Sequence, residues 1–154
     1  MDRLEKLRNI IDRILFEQTD DELRRCGFIH LYGVSDFCNL LALRRKLKQQ
    51  ICAAAGMLHD IATYKTGEAT DHAKCGSLIA KQILTETGLY SAAEISIITV
   101  AIKNHSNKLT VDDEYSELLK DADVMQFYFY NPGMGVSAER KERLEKIIIE
   151  LGAA

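Results

Sequence analysis

Four histidines and one adjacent carboxylate are the residues of this sequence best suited to chemistry. They are His30, His59, His72 and His105, with Asp60 directly after His59. Each histidine falls on or beside a different predicted helix, and side chains on inward helix faces can converge on one point in a bundle. Neutral imidazole and carboxylate are natural ligands of divalent Mn, Fe, Ni, Co or Zn, whereas a thiolate-rich set would indicate zinc alone. The pattern therefore indicates a divalent metal site with nitrogen and oxygen ligands.

The alternative for each histidine is a purely structural role. Taken one at a time, each is explained as well by a hydrogen bond in the core or by a place on the surface. Four histidines together with an adjacent aspartate favour the site instead. His105 shows an inward position best, because Ile98, Ala101 and Ile102 precede it at helical spacing.

His59 and Asp60 impose a condition on the backbone. Neighbouring residues on a regular helix point about 100° apart, so both side chains reach one ion only near a helix end. Residues 62–71 mix Thr, Gly and charge without periodicity, which predicts a loop. We therefore expect the helix that carries His59 to end at about residue 61.

The elements that must position these residues are helices. One proline and nine glycines in 154 residues leave long stretches without a helix breaker. We predict an all-α fold, a bundle of about six or seven helices that forms a single domain over residues 1–154. The spacing of apolar residues places helices at about residues 2–17, 20–45, 47–61, 72–87, 92–105, 112–130 and 138–151.

Particular residues mark where these helices start or weaken. Ser91 and Glu94 have the spacing of a capping box, which predicts a helix start. Asp71 is expected to cap the helix that follows it. Gly27 and Gly33 are candidate kinks or loop points in the second helix.

Composition and charge exclude several classes of function. Twenty basic against 23 acidic residues give a net charge of −3, which provides no broad surface for nucleic acid. The first residues lack the apolar core of a signal peptide, and the most apolar run, residues 51–58, is too short to span a membrane. The four cysteines form no CxxC pair, which favours reduced thiols and a cytoplasmic location.

The order and context of these motifs resemble a known family, the HD superfamily of metal-dependent phosphohydrolases, an all-helical fold named for its His-Asp doublet. His30 lies in IHLYGV, the doublet of His59 and Asp60 in AAAGMLHDIA, and a closing aspartate in KDADVM. Small residues before Leu-His-Asp-Ile are highly typical of the family's doublet helix. The resemblance covers about residues 30–130.

The KDADVM segment offers two closing carboxylates, Asp121 and Asp123. They flank the stripe of Leu118, Ala122 and Met125 at about 100° on either side, so geometry leaves both open. Family members typically place the ligand at the aspartate that follows alanine. The resemblance therefore implies Asp123, with Asp121 behind the ligands or on the surface.

The resemblance implies that one divalent ion is held by His30, His59, Asp60 and Asp123. His72 and His105 resemble the extra histidines of family members that hold two metals, in which the doublet aspartate bridges the ions. The competing interpretation is a single ion, with these two histidines in contact with substrate. Asp60 and His59 are then the candidate catalytic residues, and Asp60 would orient the attacking water.

The activity implied by the resemblance is hydrolysis of a phosphomonoester or phosphoanhydride, with a nucleotide as a candidate and a small phosphorylated molecule as the expected partner. A second class is a regulatory module that binds metal or nucleotide without turnover. A third is the diiron oxygenase branch of the same superfamily. The ligands named above are compatible with all three, because a fold and its metal ligands do not define the reaction.

Weaker candidates lie around these motifs. Lys65, Lys103 and Lys108 are positioned to meet a phosphate as point charges, with a solvated lysine as the alternative for each. Residues 127–130 form an aromatic run, FYFY, whose members face every direction on a helix. We expect this run mainly in the core and at interfaces, with a base-stacking pocket as the alternative.

Overall fold

In the computed structural model, which describes residues 2–153, the regular elements of this part of the chain are all helices. They are α1 (Arg3–Glu17), α2 (Asp21–Arg45), α3 (Gln49–Leu58), α4 (Ile61–Thr66), α5 (His72–Thr87), α6 (Ala92–Asn104), α7 (Glu114–Tyr130) and α8 (Ala138–Glu150). The predicted all-α bundle is confirmed. So is the capping box at the start of α6, where the Glu94 amide donates to Ser91 Oγ and the Ser91 amide donates to Glu94 Oε2.

Helix α3 occupies the centre of the bundle. Residues 51–58 are all buried, because their alanines and Gly56 are small enough for neighbouring helices to approach from several sides. Helices α1, α2, α6 and α7 pack around α3. His59, the residue after its last turn, therefore lies completely inside the protein.

The helix that leads to His59 ends earlier than predicted. Helix α3 ends at Leu58 and α4 begins at Ile61, so His59 and Asp60 lie in a break between two helices. Asp60 has φ −111° and ψ 18°, outside the helical region. The prediction of a loop from residue 62 is wrong in its first part, because the buried side chains of Ile61 and Ala62 anchor α4 among α1, α2 and α5.

Two glycines of α2 lie at close helix contacts. The helix runs unbroken through Gly27 and Gly33, so the alternative of a loop at these positions is wrong, whereas a kink stays a prediction. A Cβ at Gly27 would lie 2.7 Å from Leu15 Cδ2, and one at Gly33 would lie 2.9 Å from Gln126 Cγ. The absence of side chains here allows α1 and α7 to approach α2 closely.

Asp71 holds the N-cap position of α5 but does not cap it with its side chain. Its backbone is left-handed, with φ 51°. Side-chain capping usually requires an extended backbone at this position, so the predicted cap is wrong. The first turn closes instead through the Cys75 amide, which donates to the Asp71 carbonyl at 2.9 Å.

Helix α2 is, within residues 2–153, the one helix long and apolar enough to cross a membrane by length and composition, with a mean hydropathy of 1.3 over its most apolar window. The core helix of a soluble protein passes the same test. Helix α2 packs against both α3 and α7 and carries His30 between them. The buried apolar residues of this helix, Leu31, Val34, Cys38, Leu41 and Ala42, thus belong to the core of the bundle, while Leu40 and Leu43 are exposed.

Gly56 sets the distance between α2 and α3. A Cβ there would lie 2.7 Å from Ser35 Cα and 2.8 Å from Ser35 N. Because these backbone atoms cannot turn aside, Gly56→Ala should lower the free energy of unfolding by about 1–3 kcal/mol, the usual cost of overpacking. Gly133→Ala is the matched control, since no atom lies within 4 Å of its Cβ. Urea unfolding measures both variants, and equal stability would contradict the close contact.

Candidate metal centre

Six side chains from five parts of the fold meet inside the bundle. Helix α2 contributes one histidine, the first turn of α5 a second, the end of α6 a third, and α7 one aspartate, while the break between α3 and α4 contributes the doublet. They are His30, His72, His105, Asp123, His59 and Asp60. The predicted site residues, separated by up to 93 positions, thus lie together.

Asp60 is shared by all four imidazoles. Its Oδ2 lies 3.4 Å from Nε2 of both His30 and His59. Its Oδ1 lies 3.2 Å from His105 Nε2 and 3.6 Å from His72 Nε2. The carboxylate thereby divides the histidines into two pairs, one on each oxygen.

Asp123 faces the histidines and Asp121 does not. Asp123 Oδ1 lies 3.5 and 4.0 Å from the Nε2 atoms of the pair on Asp60 Oδ2. The two oxygens of Asp121 are held by Arg45 at 2.8 Å and by Arg143 at 2.9 Å, in a partly buried cluster of ion pairs. Of the two carboxylates that the sequence left open, Asp123 therefore offers an oxygen to the site.

Hydrogen bonds orient every imidazole. In three rings Nδ1 donates to the backbone carbonyl three residues earlier, at 2.6–2.9 Å; these rings belong to His59, His72 and His105. In His30, Nδ1 donates to Gln126 Oε1 at 2.7 Å. A carbonyl oxygen can only accept, so the proton is assigned to Nδ1 and each neutral ring presents its Nε2 lone pair to the site.

Protein atoms alone do not satisfy these lone pairs. With the protons on Nδ1, His30 Nε2 and His59 Nε2 face each other at 3.1 Å without a hydrogen between them. Within the described chain, Asp60 Oδ1 is buried and has no hydrogen-bond partner, which costs about 1–3 kcal/mol. In each pair the ligand atoms and an Asp60 oxygen lie within 4.8 Å of one another. The donor set therefore fits divalent cations.

Electrostatics favour positive charge between these ligands. Burial raises the pKa of Asp60, but His59, His105 and His30, when they carry a proton on Nε2, outweigh it and hold that pKa well below its usual range. Burial also raises the pKa of Asp123, and the Lys108 ammonium is the largest of the influences that lower it overall. Burial lowers the pKa of His30, yet Asp60 and Asp123 leave it raised.

Two residues support the site in roles that the sequence did not predict. Gln126 orients His30 through a hydrogen bond. The sequence feature that could have identified Gln126 is its position one helical turn after Asp123, on the same face of α7. Lys108 Nζ donates to Asp123 Oδ2 at 2.5 Å and to the carbonyl oxygen of His105 at 2.7 Å. The sequence predicts either a phosphate contact or a solvated side chain for Lys108. In the structure its buried ammonium is paired with residues of the site instead.

The other two candidate lysines, Lys65 and Lys103, lie outside the cluster of six site residues. Lys65 is exposed on α4, and Lys103 is exposed in a groove between α5 and α6. No hydrogen bond or ion pair between residues 2 and 153 joins either of them to the six site residues. Their role as phosphate contacts stays a prediction.

Comparison with known proteins gives the family. The model of the HD domain matches residues 27–128, so the chain belongs to the HD domain family. A crystal structure of a predicted HD superfamily hydrolase from an uncultured Thermotogales bacterium is similar, with a TM-score of 0.63 and 21% sequence identity over 99% of this chain and 95% of that one. This likeness shows the same fold. The search of curated proteins finds no match.

The division of the histidines into two pairs predicts two metal ions per chain. Calorimetric titration with Mn²⁺ should give a stoichiometry of about two, and His72→Ala or His105→Ala should lower it to about one, because each removes a ligand beside Asp60 Oδ1. Cys75→Ser is the control, as this exposed thiol lies one turn after His72. A stoichiometry of one for the unmodified protein at saturating Mn²⁺ or Fe²⁺ would refute the second ion.

Gln126 should tune metal affinity without being a ligand. Gln126→Met keeps the length of the side chain but removes the acceptor of the His30 Nδ1 proton. Loss of such an outer partner typically weakens metal binding by about 10- to 100-fold. The matched control is Gln82→Met, an exposed position on α5 whose amide bonds only Glu86 among the described residues. Unchanged affinity in both variants would show that this hydrogen bond does not orient His30.

Proposed function

We propose that this protein is a metal-dependent phosphohydrolase that cleaves a phosphomonoester or phosphoanhydride, with a nucleotide among the candidate substrates. The observation that carries the proposal is the carboxylate of Asp60, which has a histidine pair on each oxygen. Two divalent ions about a common carboxylate are well suited to displacement at phosphorus. Membership of the HD domain family supports a metal-dependent hydrolase role.

Each oxygen of Asp60 belongs to one set of metal ligands. The first ion would be held by Asp60 Oδ2 with His30, His59 and Asp123. The second would be held by Asp60 Oδ1 with His72 and His105. Divalent ions bound there would supply an acidified water as nucleophile at neutral pH and would polarise a phosphoryl oxygen.

The protein's own groups hold charge and lone pairs in place. Asp60, held in the break between α3 and α4, keeps one oxygen toward each ligand set and orients the attacking water. The Nδ1 hydrogen bonds keep every Nε2 turned toward the site. Lys108 offsets the charge of Asp123. Imidazoles that bind a metal are neutral, so the two carboxylates among the six site residues would not cancel the charge of two divalent ions, and the site would attract a phosphoryl group.

Asp60→Asn tests the role of the shared carboxylate. The change removes an anionic ligand with little change in volume, so it should abolish hydrolysis and leave the helical circular dichroism intact. Asp36→Asn, at an exposed position on α2, should keep full turnover. Retained turnover of Asp60→Asn at the metal content of the unmodified protein would contradict the proposed role.

A substrate and metal panel tests the reaction class. Phosphate release should be measured from nucleotides, aryl phosphates and pyrophosphate with Mn, Fe, Ni, Co and Zn, after elemental analysis of the purified protein. Metal binding without release of phosphate from any of them would favour a regulatory module. Oxygen consumption with iron would favour a diiron oxygenase.

A further inference from the structure

A pocket opens beside His30, between α2 and α7. Its volume is about 180 Å³, and α4 and the segment after α7 complete its wall. His30 lines this pocket and also faces both Asp60 and Asp123 through Nε2. The pocket therefore borders the metal centre, and His30 is the residue that the two share.

The wall of the pocket is apolar and aromatic. Tyr64, Phe127 and Tyr130 contribute rings, and Met134 contributes a thioether. Among the described residues, no Lys, Arg, Asp or Glu lines it. Gln126, one of the few polar groups in the wall, has its amide oxygen engaged by His30. Two arginines contact these rings from outside the lining: Arg25 donates to the Tyr130 hydroxyl at 3.3 Å, and Arg140 lies over the Phe127 ring. The wall itself favours a flat uncharged ring through aromatic and sulfur contacts and offers no lining cation to a second phosphate.

We propose that this pocket binds a flat, uncharged, ring-bearing part of the substrate while the phosphoryl group lies at the metal centre. The inference rests on the proposed function and narrows it to phosphate esters of ring-bearing alcohols, nucleosides included. Inorganic pyrophosphate and phosphorylated polyols are poor substrates, because they leave the pocket empty.

The reaction is an ordinary hydrolysis. A water oxygen bonds to phosphorus, and the ester bond between phosphorus and oxygen breaks. The ring-bearing group leaves as its alcohol after it takes one proton of the water, and inorganic phosphate is the other product. The pocket contributes to binding of the organic group and takes no part in the chemical step.

Benzyl phosphate and glycerol 1-phosphate form the primary comparison. Both esters release a primary alcohol, so a difference in kcat/KM reports recognition of the organic group rather than its reactivity. The Mn²⁺-loaded protein should prefer benzyl phosphate by at least about fivefold, the scale of one or two aromatic contacts. Equal kcat/KM for the two esters would overturn the assignment of the pocket if AMP is also not preferred over ribose 5-phosphate.

Tyr130 and Phe129 provide a matched pair of variants. Both are 52% exposed at the end of α7, but Tyr130 lines the pocket, whereas Phe129 stacks on Phe37 with centroids 5.6 Å apart. Tyr130→Ala should raise KM for benzyl phosphate about three- to tenfold, with kcat and the kinetics of glycerol 1-phosphate unchanged. Phe129→Ala should change neither substrate. Equal losses for both substrates in Tyr130→Ala would overturn the proposal.

Binding of phosphonates separates this inference from the proposed activity. If benzylphosphonate binds more tightly than methylphosphonate and Tyr130→Ala removes the difference, the pocket assignment stands even without hydrolysis of any ester. If both esters are hydrolysed equally and both phosphonates bind equally, the phosphohydrolase proposal stands and the pocket assignment fails.

A comparison of AMP with ribose 5-phosphate tests whether the ring in the pocket is a nucleobase. A preference for AMP over ribose 5-phosphate that Tyr130→Ala removes would support the pocket with a nucleobase as its occupant. A preference for benzyl phosphate without one for AMP would support it with a ring close to the ester oxygen. No preference in either comparison would overturn it.

Discussion

The site is built around the contacts between the Asp60 carboxylate and four imidazoles. Two imidazole Nε2 atoms face each of its oxygens at 3.2–3.6 Å, and Oδ1 has no hydrogen-bond donor in the described chain. Asp60 can serve both histidine pairs only because the chain breaks between α3 and α4. On an unbroken helix Asp60 and His59 would diverge by about 100°, and a common point in the interior would be out of reach for one of them.

Close helix packing supports this break. Gly76 brings α5 against it, since a Cβ there would lie 2.9 Å from the carbonyl oxygen of His59. Gly56 brings α3 equally close to α2, and Gly33 makes room for Gln126, which orients His30. Three missing side chains therefore set the distances between the helices that carry the histidines. A small increase in side-chain volume at these contacts would move the helices apart. The ligand atoms would then lose relative positions that must be accurate to tenths of an ångström.

Helix α7 carries two aspartates with different environments, and α8 explains the difference. Arg143 from α8 binds Asp121 and also donates to the carbonyl oxygen of Lys108 at 2.9 Å. Lys108 in turn binds Asp123 on the site side of α7. The partly buried ion pairs on one face of α7 thereby hold Lys108, which orients the carboxylate of Asp123 on the other face. A charged cluster outside the site thus contributes to its geometry.

The residue pattern alone identified the helical fold, the ends of most helices, the histidines with their adjacent aspartate, and the chemistry of such a donor set. These features follow from local spacing and from side-chain type. It could not place the break after Leu58, because Ile61 and Ala62 continue the apolar pattern and their burial depends on other helices. Spacing left Asp121 and Asp123 open and the family resemblance implied Asp123, while the physical reason for that choice and the roles of Gln126 and Lys108 came only from the tertiary structure. Each depends on which helices pack against α7, and that is decided by contacts between residues far apart in the chain.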